Sequence, residues 1–164
     1  MLIRTAESAD AKQLVHLIKQ VENSNYMLFE PGERKTTVDQ QRKRIESVRE
    51  EETSTILVAE DNGGLAGYLF AIGGNPTRGK HAVYLVIGVA ESSRGQGVGA
   101  KLFAKLEEWA KERAIHRLEL TVMVHNKAGI ALYEKMGFEI EGTKRHSLFI
   151  DGNYVDEYYM SKLL

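Results

Sequence analysis

With 164 residues, 43% apolar and 27% charged, the chain has the length of one domain and enough apolar material for a packed core. A net charge of −1 excludes bulk electrostatic attraction to nucleic acid, and the absence of cysteine excludes a thiol nucleophile, a disulfide and a thiolate metal site. No apolar run is long enough for a bilayer, the N-terminus lacks a signal-peptide core and the five histidines lack ligand spacing, so the expectation is a cytoplasmic protein without metal, membrane or nucleic-acid partners.

Leu2 to Thr5 alternates as a short strand. Ser8 or Asp10 can cap a helix whose apolar face is Ala11, Leu14, Val15, Leu17, Ile18 and Val21. Residues 23–36 contain a Pro and a Gly and form a loop, yet carry Tyr26, Met27, Leu28 and Phe29, a patch that either tucks under the domain or lines a pocket. Glu30 and Glu33 flank it, and Glu30 is a candidate for meeting a cationic substrate or simply a solvated charge. A charged helix follows over Val38 to Glu51, with Val38, Ile45 and Val48 as its apolar stripe.

Thr55 to Glu60 and Leu65 to Ile72 flank Asp61-Asn62-Gly63-Gly64, a hairpin signal. After a polar loop over residues 73–80, Val83 to Val89 reads as a buried strand. A turn leads to Arg94-Gly95-Gln96-Gly97-Val98-Gly99, and then Leu102, Phe103, Leu106, Trp109 and Ala110 recur at helical spacing. Leu118 to Val124 is a strand with Leu118, Leu120 and Val122 on one face and Glu119, Thr121 and Met123 on the other. Asn126 can cap a helix running to Lys135, and Gly137 stops it. Phe138 to Ile150, Asp151-Gly152 and Tyr154 to Leu163 form a long closing hairpin.

This order, β-α-α-β-β-β-α-β-α-β-β, predicts an α/β fold of the α+β kind. It is a mixed, mostly antiparallel sheet of about seven strands flanked by four helices, and a right-handed crossover through the glycine-turn helix makes one parallel pair. Strand, glycine turn and helix N-terminus together suit an anion, because the first-turn N–H groups lack helical partners and the helix dipole is positive there. Gly95-x-Gly97-x-x-Ala100 matches a dinucleotide fingerprint, with Glu119 about twenty residues on. That reading fails on spacing, since Ala90 to Arg94 separate the strand from the first glycine, which should sit at the strand tip.

Arg94-x-x-Gly97-x-Gly99 instead resembles the pyrophosphate loop of the GNAT superfamily of N-acetyltransferases. A second block follows at Asn126, Ala131, Tyr133 and Gly137-Phe138, in the order that the family shows. The resemblance covers the whole chain in topology and roughly residues 82–160 in sequence. It implies a GNAT fold and direct transfer of acetyl from acetyl-coenzyme A to an amine. It further implies that residues 94–99 (Arg94, Gly95, Gln96, Gly97, Val98, Gly99) cradle the pyrophosphate. Ile87, Gly88 and Val89 would bond the pantetheine arm, with Gly88 either marking a bulge that splays the strand or serving only helix packing. Asn126 would contact the cofactor, and Tyr133 would be the general acid for the departing thiolate.

The family's carboxylate five residues before the Asn is absent, since Thr121 stands there. Glu119, two residues earlier on the same strand face, is the candidate general base, with Tyr84 and His81 as further titratable groups. The C-terminal text resembles the subgroup that acetylates small amines, including amino acids and polyamines, and Asp156, of the pair Asp156 and Glu157, is a candidate for attracting a cationic amine. The rival readings are acetylation of a protein N-terminus or lysine, and a non-catalytic acetyl-coenzyme A module. The terminal hairpin offers an edge for a homodimer.

Overall fold

The computed structural model describes residues 1–74 and 76–164; the loop expected over 73–80 includes Asn75, which lies outside them. Seven strands form one sheet: β1 (Leu2–Thr5), β2 (Thr55–Asp61), β3 (Gly64–Gly73), β4 (Ala82–Val89), β5 (Arg117–Met123), β6 (Glu139–Ile150) and β7 (Asn153–Leu163). Their spatial order is β1-β2-β3-β4-β5-β7-β6, antiparallel throughout except for the β4–β5 pair. Two-residue turns set both hairpins. Asn62 and Gly63 (φ 50° and 78°) join β2 to β3, and Asp151 and Gly152 (φ 50° and 80°) join β6 to β7, the left-handed geometry whose twist matches flanking strands.

The helices are α1 (Ala11–Glu22), α2 (Val38–Arg49), α3 (Val98–Glu112) and α4 (Lys127–Lys135). The sheet separates two cores. On one face, α1 and α2 set Leu14, Leu17, Ile18, Ile45 and Val48 against Ile56, Val58 and Tyr68. On the other, Leu102, Phe103, Leu106 and Ala110 of α3 cover Leu57, Leu69, Val83, Leu85, Leu118 and Leu120, with Ile130, Tyr133 and Met136 packed alongside. Each such aliphatic or aromatic side chain contributes roughly 1.5–3 kcal/mol on burial. Of the expected caps Ser8 and Asp10, Asp10 stands at the N-cap position of α1, but its side chain makes no capping hydrogen bond there. A 3-10 turn at Ser8–Asp10 precedes the helix, and Asp10 turns back to accept from the Glu7 N–H (2.7 Å) and from Arg4 (2.7 and 2.8 Å).

One feature of the sheet positions the site. β4 and β5 pair only through Ala82–Tyr84 opposite Arg117–Glu119 and then part. Each strand stays bonded on its outer side, β4 to β3 as far as Val89 and β5 to β7 as far as Met123. The splay therefore opens a cleft within a sheet that is otherwise continuous. The expected bulge at Gly88 is not there: the β3–β4 register runs unbroken, with Gly88 opposite Tyr68. Gly88 instead makes room, because a Cβ on it would lie 2.6 Å from the Tyr68 hydroxyl oxygen.

Candidate active site

At the C-terminal end of β4, a 3-10 turn (Glu91–Ser93) and the extended Arg94 lead to Gly95 and Gly97, at φ 74° and 78°. Side chains larger than glycine are strained in that region. Gly97 is the N-cap of α3 and carries no side chain to satisfy the first turn, whose N–H groups stay open for an anion. Val98 directs its side chain into the core and offers only its backbone, Gly99 lies under Leu132, and the Gln96 amide donates back to the Ser92 carbonyl at 3.2 Å.

From this turn the cleft runs between the splayed strands, with a volume of about 340 Å³. Ile87, Gly88, Val89, Arg94, Asn126 and Tyr133 all line it. Residues opposite one another in a sheet share a face, which divides the remaining lining in two. Leu120, Val122, Gly129, Leu132 and Tyr133 belong to the face covered by α3 and α4. Tyr84, Thr121, Met123 and Glu157 belong to the opposite face, where the loop after α1 supplies Tyr26, Met27 and Leu28. The loop is held there by an ion pair between buried Glu22 and Arg34 (2.9 Å), whose guanidinium lies 4.1 Å over the Phe29 ring. The apolar patch of the loop thus lines the pocket rather than tucking wholly beneath the domain.

Tyr133 stands edge-on to Phe103, with ring centroids 5.9 Å apart, and against Phe138 at 6.1 Å. Burial, with a smaller contribution from nearby Tyr84, pushes its pKa up from 10.0 to about 12, so the phenol carries its proton at neutral pH. Its hydroxyl has no hydrogen-bond partner among the described residues. Across the splay, the Tyr84 hydroxyl and Thr121 Oγ1 are 2.8 Å apart. Asn126 caps α4, its Oδ1 accepting from the Gly129 N–H at 3.0 Å.

Of the predicted site residues, Gly95 to Gly99 form the turn beyond the cleft lining, and the three acids named for base or substrate roles also lie outside it. Glu119 accepts from Arg117 Nε at 2.7 Å, and the same guanidinium reaches Glu141 at 2.6 Å and holds that carboxyl below its usual range. Glu30 is exposed in a second groove beside Pro31 and the β6–β7 turn. Asp156 accepts from the His146 N–H at 2.7 Å, holding an interruption in β6. Its neighbour Glu157 is the acid that faces the cleft, opposite Met123. Strand parity says that only one of the pair points inward, but the choice rests on a β5–β7 register that no local turn sets.

The sequence profile of the acetyltransferase (GNAT) family matches residues 16–138. The chain belongs to the GNAT family. It is similar to the L-amino acid N-acetyltransferase AaaT of Escherichia coli (strain K12), 35% identical over 111 residues that span 65% of this chain and 67% of that one. Among solved structures, a GNAT-family acetyltransferase from Streptococcus pneumoniae superposes with a TM-score of 0.94 at 30% identity, over 99% of this chain and 98% of the other. A ribosomal-protein-alanine N-acetyltransferase from Brucella melitensis superposes with a TM-score of 0.87 at 32% identity, over the full length of both. GNAT members bind acetyl-CoA as co-substrate, and this GNAT protein is an acetyl-CoA-dependent N-acetyltransferase, an acyltransferase. Seven mostly antiparallel strands and four helices are the GNAT fold that the element order predicts.

Proposed function

We propose that this GNAT protein acetylates the primary amine of a small molecule, of which an amino acid is the leading type, by direct transfer from acetyl-CoA within the β4–β5 cleft. The observation that carries the reading is Tyr133: a protonated, unpartnered phenol on the wall of the cleft that Tyr84 and Thr121 also line. The residues present suit the co-substrate. Residues 94–99 would take the pyrophosphate, the free edge of β4 at Ile87–Val89 would bond the pantetheine amides, and Asn126 would lie alongside. With no cysteine in the chain no acyl-thiol intermediate can form, which is consistent with direct transfer to the acceptor.

In the reaction the amine lone pair attacks the acetyl carbonyl carbon, the C–S bond breaks, and sulfur takes a proton as nitrogen loses one. A primary amine has a pKa near 10, so roughly one molecule in a thousand is nucleophilic at pH 7. Its proton leaves through water along the Tyr84–Thr121 side of the cleft. Glu119, engaged by Arg117, receives no step here. Tyr133 faces the departing sulfur. A phenol near 12 is a weaker acid than a free thiol at about 8.5, but a thiolate in this cleft is also deprived of water, so the two values draw together as charge develops.

A second reading, acetylation of a protein N-terminus, is favoured by a groove of about 340 Å³ that shares Met27 and Leu28 with the cleft and runs to the β6–β7 turn, where following residues of a peptide would lie. Thiol release from acetyl-CoA, measured against amino acids, amines and N-terminal alanine peptides, separates the two; turnover confined to peptides overturns the small-molecule reading. We also propose a homodimer through β6, the long edge of the sheet. A monomeric mass by light scattering at micromolar concentration would refute it.

A further inference from the structure

Among the residues that line the cleft there is one acid, Glu157, and one base, Arg94. Arg94 stands at the glycine turn, where anionic charge is expected. Glu157 stands on the other side of the sheet, with Tyr26, Met27 and Leu28. Its side chain is 10% exposed, and a carboxylate that far from water is costly unless paired. Its existing partners satisfy it only in part. Oε1 accepts from the Ser147 hydroxyl at 2.8 Å and lies 3.9 Å from Lys144 Nζ, a lysine whose side chain is 46% exposed. Oε2 accepts nothing among the described residues. The position is fixed by the sheet, because Glu157 pairs with Met123 on one side and Lys144 on the other.

From this geometry we infer that Glu157 receives the ammonium group of the acceptor, and that the acceptor carries a single ammonium group with an apolar substituent beside it. The inference rests on the proposed amine acetylation and names its recognition site. A single carboxylate matches one positive charge; a polyamine would leave its remaining charges against Tyr26, Met27 and Leu28. The apolar wall offers those side chains to an aliphatic or aromatic group instead. Glu157 is a docking residue, distinct from the proton donor Tyr133 on the helix side.

The test compares wild type, Glu157→Gln, Glu157→Asp and Ser147→Ala by thiol release from acetyl-CoA with L-leucine, L-leucinamide and spermidine as acceptors. The expected result is turnover of the leucine compounds in preference to spermidine. In Glu157→Gln, KM for the leucine acceptor rises at least about tenfold while KM for acetyl-CoA holds, and Glu157→Asp recovers part of the loss. Ser147→Ala removes the tie to β6 but keeps the charge, so its acceptor KM stays near wild type. An acceptor KM unmoved in Glu157→Gln, an equal rise in Ser147→Ala, or a preference for spermidine overturns the inference. Wild type silent on all three acceptors, and on the wider amine panel, overturns the small-molecule reading beneath it.

Discussion

The helix face of the cleft and its loop face are assembled in different ways. On the helix face, the anion-binding end is one contiguous stretch, residues 94–99, and its useful groups are backbone N–H groups that the left-handed Gly95 and Gly97 hold open. On the loop face, Tyr26 to Leu28, Tyr84, Thr121 and Glu157 come from four separate segments and act through their side chains. The first kind of site tolerates side-chain change and fails on backbone change. The second does the reverse.

The largest expected effect is at the joint between the two halves. Tyr133→Phe keeps the ring among Phe103 and Phe138 and removes only the hydroxyl. The turnover number should fall about a hundredfold, in the range of a lost general acid, with KM for acetyl-CoA unchanged. Turnover equal to wild type would remove Tyr133 from the reaction. The pH profile sharpens the point. The folded-state pKa of about 12 lies above the unfolded 10.0, so the neutral phenol's contribution to stability is whole below pH 10 and is lost as pH rises through about 12. Turnover should therefore show no falling limb from Tyr133 below about pH 11. A limb near pH 9 that vanishes in Tyr133→Phe would contradict the buried, protonated donor.

The same contrast explains what the sequence disclosed. The seven strands and four α-helices were legible, because period and the Asn62-Gly63 and Asp151-Gly152 turns are local signals, whereas the short 3-10 turns were not. The glycine turn was legible for the same reason. Of the two roles open to Gly88, the bulge is absent, and the close packing has its cause in Tyr68, twenty residues away, where nothing local reports that ring. The acceptor side was legible only as residue types. That Glu119 meets Arg117, that Asp156 holds the β6 interruption and that Glu157 faces the cleft all depend on register between strands that the chain joins through α4 and the closing hairpin. Side-chain sites built from distant segments are set by packing, and packing leaves no short motif.

Gly97→Val tests the backbone side of the contrast. Gly97 sits at φ 78°, and a Cβ there would meet nothing within 4 Å, so the substitution offends conformation alone. Moving a β-branched residue into the left-handed region costs at least about 1–2 kcal/mol. The chain escapes by rotating the turn and spoiling the cradle of N–H groups. KM for acetyl-CoA should rise roughly five- to thirtyfold, while the acceptor KM holds. A rise in the acceptor KM alone would mean that the two faces are not separable as described.

The smallest expected effect is at Asn126, which serves the helix face through a side chain and so tests the contrast from its weaker side. Its Oδ1 accepts from the Gly129 N–H, and loss of such a cap costs about 1 kcal/mol. For a domain of this size that is a fall in Tm of roughly 2–4 °C by calorimetry. Asn126→Asp keeps an acceptor for Gly129 and should hold Tm, whereas Asn126→Ala should not. If Asn126 also touches the co-substrate through its amide N–H groups, Asn126→Asp loses acetyl-CoA affinity at unchanged Tm. If Asn126→Ala loses Tm, Asn126→Asp holds it and neither loses affinity, the residue is a helix cap alone, and the helix face is a backbone site throughout.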